Sequence, residues 1–247
     1  AQKFSYNVVM NMTLEKMLQC QGFGSRKFCR SLVLEHRVEI GGIICTDPGL
    51  LIETDNLSFC IDGEQWECRK KLYLVLNKPA GYECSHQPQH HPSVFSLFPP
   101  PFIHRGLQCV GRLDQDTTGM LLLSDDGNFI HRYTSPRKKV PKIYQITTAD
   151  PFRQDQLERL ENGVELRNEK TITKALKCRL IDEYHVKLVI AEGKYHQVKR
   201  MIAAVGNRVE KLHRSAIGGL SLPASLPAGH WCFLNENDLK NLNETGH

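Results

Sequence analysis

The stretch GRLDQDTTGMLLLSDDG, Gly111 to Gly127, constrains this chain more than any other. Met120 to Leu123 form an apolar run too short for a helix, and Asp126-Gly127 is a turn pair of the kind that ends a strand. Gly111 and Gly119 therefore bracket a loop that enters a buried strand. That loop holds Arg112, Asp114, Asp116, Thr117 and Thr118 at the strand's mouth, where a rigid scaffold meets solvent. Acids and hydroxyls so placed read as an active site; the competing reading is a solvated surface turn, common for short motifs.

The strand needs a core around it. At 247 residues and 40% hydrophobic, the chain can build one without disulfides. Its nine cysteines include no C-x-x-C pair, so neither a disulfide framework nor a zinc site is expected, and reduced thiols suit the cytoplasm. No apolar segment reaches spanning length and the first residues lack the order of a secretory signal, so no membrane association is expected. A formal charge of +5 permits a nucleic-acid partner without requiring one.

Residues 1–12 do not fit the pattern that starts at Thr13 and are read as an extension. Residues 13–61 form a small basic module: one short helix containing Leu14, Met17 and Leu18 is closed by Gly22-Phe23-Gly24. A second helix, opening at Ser25, is expected to place Phe28, Cys29, Leu32 and His36 on one side and Arg26, Arg30 and Arg37 on the other, with Lys27 beside them. Turn residues then divide VEIGGIICTDPGLLIETDNLSFCI into short strands. The polar residues 62–71 read as a linker.

A second domain, 72–240, begins with a strand at Leu72 to Leu76 and a turn whose Lys78 faces solvent or a phosphate. The loop from Ser85 to Pro101 carries His86, His90 and His91, but no Cys or carboxylate completes a ligand set and no metal is expected. A brief helix at Asn128 to Thr134 leads to a basic segment including Lys142, then a strand from Lys142 to Thr148. Asp150-Pro151 is read as the start of a helix from Phe152 to Glu161, followed by strands around 171–179 and 185–190. In the last helix Val198, Met201, Ile202 and Val205 make a core stripe, with His196, Lys199 and Arg200 on the other face. Strands and helices without a regular βαβ repeat indicate an α+β domain on a largely antiparallel, mixed sheet. Residues 241–247 read as a tail.

The order of motifs, NKPAGY (Asn77–Tyr82), GRLD-x-x-TTG with its strand and DDG, KIYQI (Lys142–Ile146) and EGKYHQVKRMIAAVGNRVEKLHRSAIGG (Glu192–Gly219), resembles the pseudouridine synthases of the small-subunit ribosomal type over nearly the whole chain. The N-terminal order LEKML, SRKFCRSLV, RVEIGG resembles an S4-type RNA-binding domain. The resemblance implies a monomeric cytoplasmic enzyme, without a cofactor, that converts a uridine of 16S rRNA, in a partly assembled small subunit, to pseudouridine; a large-subunit or transfer-RNA target is the alternative.

That reaction breaks the N1–C1′ bond, turns the base and makes a C5–C1′ bond. It needs a carboxylate nucleophile or sugar stabiliser, a dry pocket and a flipped-out base. The resemblance places the carboxylate on Asp114, its cationic partner on Lys199 and the residue against the uracil on Tyr144. Adjacent Arg200 rivals Lys199 for that pairing. Arg112 binds a phosphate or fills the gap left by the base; Thr117 and Thr118 contact substrate, or together with Asp116 they order the loop. Lys78, Lys142, His196, Gln197 and Arg200 complete the expected RNA contacts, with Arg26, Lys27, Arg30 and Arg37 of the N-terminal module. Two other classes compete: a non-catalytic RNA-binding assembly factor, and an aspartate-based phosphatase, since Asp114 and Asp116 with the following threonines satisfy D-x-D-x-T. The phosphatase motif wants its apolar strand before the first Asp, and here the strand follows.

Overall fold

The structure, a computed structural model, describes residues 11–244 and divides into two compact units. One comprises the chain up to Leu72 together with Phe98–Leu107; the other comprises Tyr73–Leu97 and the chain from Gln108 onward. Residues 1–10 of the expected extension and 245–247 of the expected tail lie outside the described residues. Among the described residues no helix is long and apolar enough to cross a membrane.

The first unit contains β1 (Asn11–Thr13), α1 (Leu14–Cys20), α2 (Arg26–Leu34), β2 (Val38–Ile40), β3 (Ile43–Ile44), β4 (Leu51–Glu53), β5 (Ser58–Ile61), β6 (Glu64–Glu67) and α3 (Pro100–His104). Four strands form an antiparallel sheet in the order β3-β2-β5-β6, and β1 pairs with β4. Leu14, Met17 and Leu18 of α1 pack with Cys29, Leu32 and Val33 of α2 and with Phe59 and Ile61 of β5. Ser25 caps α2 by accepting the Phe28 N–H at 3.2 Å.

Three expectations are corrected here. The polar stretch read as a linker contains β6, whose alternate residue Trp66 packs edge-on against Phe23 while Glu64, Gln65 and Glu67 face water. Polar composition alone therefore did not distinguish an edge strand from a linker. The second helix stops at Leu34, because His36 takes a left-handed conformation (φ 60°) that turns the chain into β2. Arg37 consequently lies beyond the helix and is not part of its basic face, and Phe28 is exposed rather than core.

The second unit contains β7 (Tyr73–Lys78), β8 (Gln108–Cys109), β9 (Thr118–Ser124), α4 (Gly127–Thr134), β10 (Lys142–Thr148), α5 (Gln154–Asn162), β11 (Lys177–Leu180), β12 (His185–Ile190), α6 (Gln197–Ala204), β13 (Val209–Ile217), β14 (Leu220–Ser221), β15 (Trp231–Phe233) and α7 (Glu236–Asn241). Its described strands make one mixed sheet in the order β11-β12-β10-β13-β9-β7-β15, with β14 on β13 and β8 on β9. Only the β13–β9 pair is parallel. The apolar run Met120 to Leu123 is fully buried inside β9, as its composition demands.

Helix α5 starts later than expected. Phe152 is buried and gives its N–H to Glu183 at 2.7 Å, so the chain turns helical only after Arg153, whose N–H is accepted by Gln156. Of the strand expected around 171–179, only Lys177–Leu180 forms as β11; Thr173 makes a single bridge to Val164. The tail expectation also fails at its start. Leu242 is buried beside Val75 and Leu234, and Tyr133 donates its hydroxyl hydrogen to Asn243 at 2.8 Å.

Candidate active site

The loop from Gly111 to Gly119 is fixed from both ends. Gly119 has φ 101° and lies against β13 so closely that a Cβ would fall 2.3 Å from the Arg214 carbonyl oxygen, which explains a glycine at this position. At the end of β7, Lys78 is fully buried and its ammonium donates to the carbonyls of Pro79 (3.1 Å), Gln115 (3.1 Å) and Thr117 (2.9 Å). Burial pushes its pKa below the ordinary lysine value. Lys78 is thus a loop tether; the expected exposure to solvent or phosphate is corrected. The Gly81 N–H reaches Gln115 O at 2.8 Å, and the Thr117 N–H closes the turn on Asp114 O at 3.1 Å.

Asp114 emerges from this frame half-buried, with Lys199 Nζ 3.1 Å from one carboxylate oxygen and His196 Nε2 3.3 Å from the other. Lys199 also donates to Asp116 at 2.7 and 2.9 Å. Burial opposes ionisation of Asp116, but the Lys199 hydrogen bond prevails and its pKa lies below the ordinary value; reciprocally, both acids outweigh the burial of Lys199 and raise its pKa. Helix α6 presents Lys199 because Val198, Met201 and Ile202 anchor its other face in the core. His196 precedes the helix in a left-handed conformation (φ 46°), which brings its ring back to the acidic loop.

Of the two adjacent cations, Lys199 is the one beside Asp114. Arg200 turns away to Glu169 at 3.0 Å and to the carbonyls of Tyr195 (3.2 Å) and Arg167. Gln197, expected to touch RNA, is buried and accepts the Lys194 N–H at 3.0 Å, bracing the start of α6. Thr118 is likewise engaged inside the fold, with its hydroxyl 2.9 Å from His213 Nδ1.

A cavity of about 510 Å3 opens beside Asp114. That lies within the range of about 300–1,000 Å3 usual for small-ligand sites. Tyr144 lines it from β10 and is 8% exposed; Arg112 is exposed, Thr117 is buried, and both also contribute. Lys142 lines it too, its pKa pushed down to about 8 by burial and by repulsion from Arg214. A carboxylate 3.1 Å from a lysine, a cation shared between two acids and a sheltered tyrosine therefore meet at one cavity, an arrangement suited to nucleophilic or electrostatic work on a polar ring.

Three residues escaped the sequence reading. Sequence pattern gives Asp116 only a part in ordering the loop, yet it holds Lys199. Arg214 falls in the alternation Leu212, Arg214, Ala216 on the inward side of β13, so its inward register was a readable signal. Tyr195, 76% exposed, stacks on His196 with ring centroids 3.8 Å apart.

In the first unit, Arg26 and Arg30 are bonded to the buried Glu15 at 2.8 and 3.2 Å. The Arg26 hydrogen bond, above the contribution of Arg30, holds the Glu15 carboxyl below its ordinary pKa. Arg37 pairs with Asp62 at 2.7 Å and Glu35 at 3.3 Å. Lys27 is exposed and makes no ion pair among the described residues. Of the three loop histidines, His86 stacks on Phe95, whereas the backbones of His90 and His91 donate to Glu83.

Comparison with known proteins adds to this geometry. The profile of the family described as RNA pseudouridylate synthase matches residues 72–204, more than half the chain. Ribosomal small subunit pseudouridine synthase A of Pasteurella multocida is 37% identical over 236 residues, covering 94% of this chain and 100% of that protein. Its counterpart in Escherichia coli (strain K12) is 40% identical over 231 residues, covering 92% and 98%. A crystal structure of a pseudouridylate synthase superposes with a TM-score of 0.66 at 36% identity, covering 94% of this chain and 99% of that one. The chain belongs to the RNA pseudouridylate synthase family and is an RNA pseudouridine synthase.

Proposed function

We propose that the protein isomerises one uridine of 16S rRNA, within a partly assembled small subunit, to pseudouridine, with Asp114 as the nucleophile on a flipped-out nucleotide. The carrying observation is the Asp114 carboxylate at the cavity, held 3.1 Å from Lys199 and 3.3 Å from His196. The Lys199 ammonium and the His196 ring fix where that carboxylate points. Because Lys199 is divided between Asp114 and Asp116, it orients the nucleophile without fully neutralising it. Tyr144 supplies the wall against the uracil, and exposed Arg112 occupies the rim where a phosphate or the vacated stack would lie. The ribosomal small-subunit target is supported by the names of relatives that cover more than nine-tenths of the chain.

The N-terminal unit, in this reading, is an S4-like anchor for RNA. Its exposed Lys27 and the outward guanidinium edges of Arg26 and Arg30 support phosphate contacts, which give affinity rather than sequence choice. The test is a map of pseudouridines in ribosomal and transfer RNA from cells with and without the gene. Loss of a single 16S position supports the assignment; loss of a large-subunit or transfer-RNA position with 16S intact overturns it.

A further inference from the structure

Three polar groups of the cavity lack a hydrogen-bond partner among the described residues, one of them the Glu192 oxygen that the Lys194 ammonium approaches at 3.1 Å. Arg214 is 4% exposed; its Nε donates to Met120 O at 2.8 Å, but its Nη2 is shut off from solvent and makes no hydrogen bond among the described residues. The Thr117 hydroxyl, on a residue 1% exposed, is in the same condition. Both residues line the cavity that contains Asp114 and Tyr144, and Arg214 is the cross-strand neighbour of Tyr144. Lys142 adds a second cation: its ammonium reaches Ala191 O at 3.4 Å and has no ion pair among the described residues.

The acids of the cavity are committed elsewhere. Asp114 faces Lys199 and His196, and Glu192 pairs with Lys194 at 3.1 Å. Among the described residues, two buried or half-buried cations therefore stand without an ion-pair partner in a low-dielectric site, an arrangement that costs stability unless an anion arrives. A neutral uracil would gain little from them. A backbone phosphate stays toward solvent, where the exposed Arg112 already stands. The anion that appears inside the cavity is the base itself: when N1–C1′ breaks, its electron pair stays on N1 and delocalises onto the ring oxygens, whichever group takes the sugar carbon. The pair returns when C5 attacks C1′; the C5 proton is then lost and N1 gains one, so the product is neutral and isomeric with the substrate.

Resting on the reading that Asp114 acts on uridine, we propose that Arg214 and Lys142 are further catalytic residues that stabilise the uracil anion between bond breaking and bond making. Because that charge is absent from the bound substrate, fixed cations favour the transition state over the ground state. Lys142 is the more adjustable of the two, whereas Arg214 is clamped by Met120 and defines the floor.

The experiment uses Arg214→Gln and Lys142→Met in single-turnover reactions at saturating 16S rRNA carrying either uridine or 5-fluorouridine, following consumption of the N1-linked nucleoside. Fluorine withdraws electrons and makes the base anion intrinsically more stable. The expected result is a fall of about 100-fold on uridine, comparable to removing one oxyanion donor, a clearly smaller fall on 5-fluorouridine, and unchanged RNA affinity. Equal losses on both bases, or weakened RNA binding with an intact saturated rate, would overturn the proposal. If Arg214→Gln melts early because its bond to Met120 is lost, Lys142→Met carries the test, since it removes no bond between strands. Wild-type protein that leaves 16S uridine untouched defeats the target assignment instead, and activity retained in Asp114→Asn defeats the nucleophile.

Discussion

Lys199 donates to both carboxylate oxygens of Asp116, at 2.7 and 2.9 Å, and holds that acid more closely than it holds Asp114. On the reading that Asp114 is the nucleophile, Asp116 sets how much positive charge Asp114 feels. Asp116→Asn should let Lys199 collapse onto Asp114 and slow single-turnover pseudouridine formation about tenfold, a barrier change of about 1.4 kcal/mol. Lys199→Met should be slower still. A rate in Asp116→Asn equal to wild type would leave that residue without influence on Asp114.

Asp114→Asn preserves volume and removes the charge. Pseudouridine formation should disappear, while the melting temperature stays near wild type, because a half-exposed ion pair contributes only about 0–1 kcal/mol. Nucleoside analysis of the RNA and a thermal melt check the two halves separately.

On the proposal that Lys142 stabilises the uracil anion, it should give the reaction an alkaline limit. Its ammonium is pushed down to about 8, so it is charged below that pH and loses its proton as pH rises through it. Around it stand Arg214 from β13, Tyr144 on its own strand, Asp114 in the loop and Glu192 and Lys194 beyond β12, of which Arg214 is the charge that lowers it. The saturated rate should therefore decline through about pH 8. Lys142→Arg should keep the rate and lose the decline; Lys142→Met should be slow and flat across the same range.

In the N-terminal unit, the exposed lysine and the two arginines should separate. Lys27→Gln should lower RNA affinity and reduce the log–log salt slope by about one unit, without changing the melt. Arg26→Gln with Arg30→Gln strips the partners from buried Glu15 and should destabilise the unit as well. The sign follows from the depressed Glu15 pKa: the stabilisation is present at neutral pH and is lost as pH falls through the acid range, so wild type should lose it on acidification and the double variant should not. Tryptophan fluorescence during pH and thermal titrations reports both.

The elements that sequence revealed best were those with one dominant signal. Met120 to Leu123 and the stripe Val198, Met201, Ile202 admit only buried positions, so β9 and α6 emerged directly. The competition between Lys199 and Arg200 was beyond periodicity, because adjacent residues on a helix differ by about a hundred degrees and the position of Glu169 decides which one turns away. Lys78 misled for a related reason: a lysine after a strand normally reaches water, and only the three carbonyls gathered around it make burial tolerable. Trp66 in β6 was hidden by its charged neighbours, and Arg37 by a helix that ended two residues before His36.

Helix α3 bears on the order in which a growing chain can acquire its structure. It belongs to the first unit although 25 residues of the second, Tyr73–Leu97, precede it. The Pro101 carbonyl lies where any side chain on Gly22 would go, Phe102 meets Trp66 edge-on at 6.4 Å, and Arg105 ties Gln21 to the Arg69 carbonyl at 3.0 and 2.9 Å. A ribosome that has delivered only the first 72 residues has not yet made these partners, so the N-terminal unit reaches its full set of contacts only after residue 107 has emerged, when the first strand of the catalytic sheet is already outside.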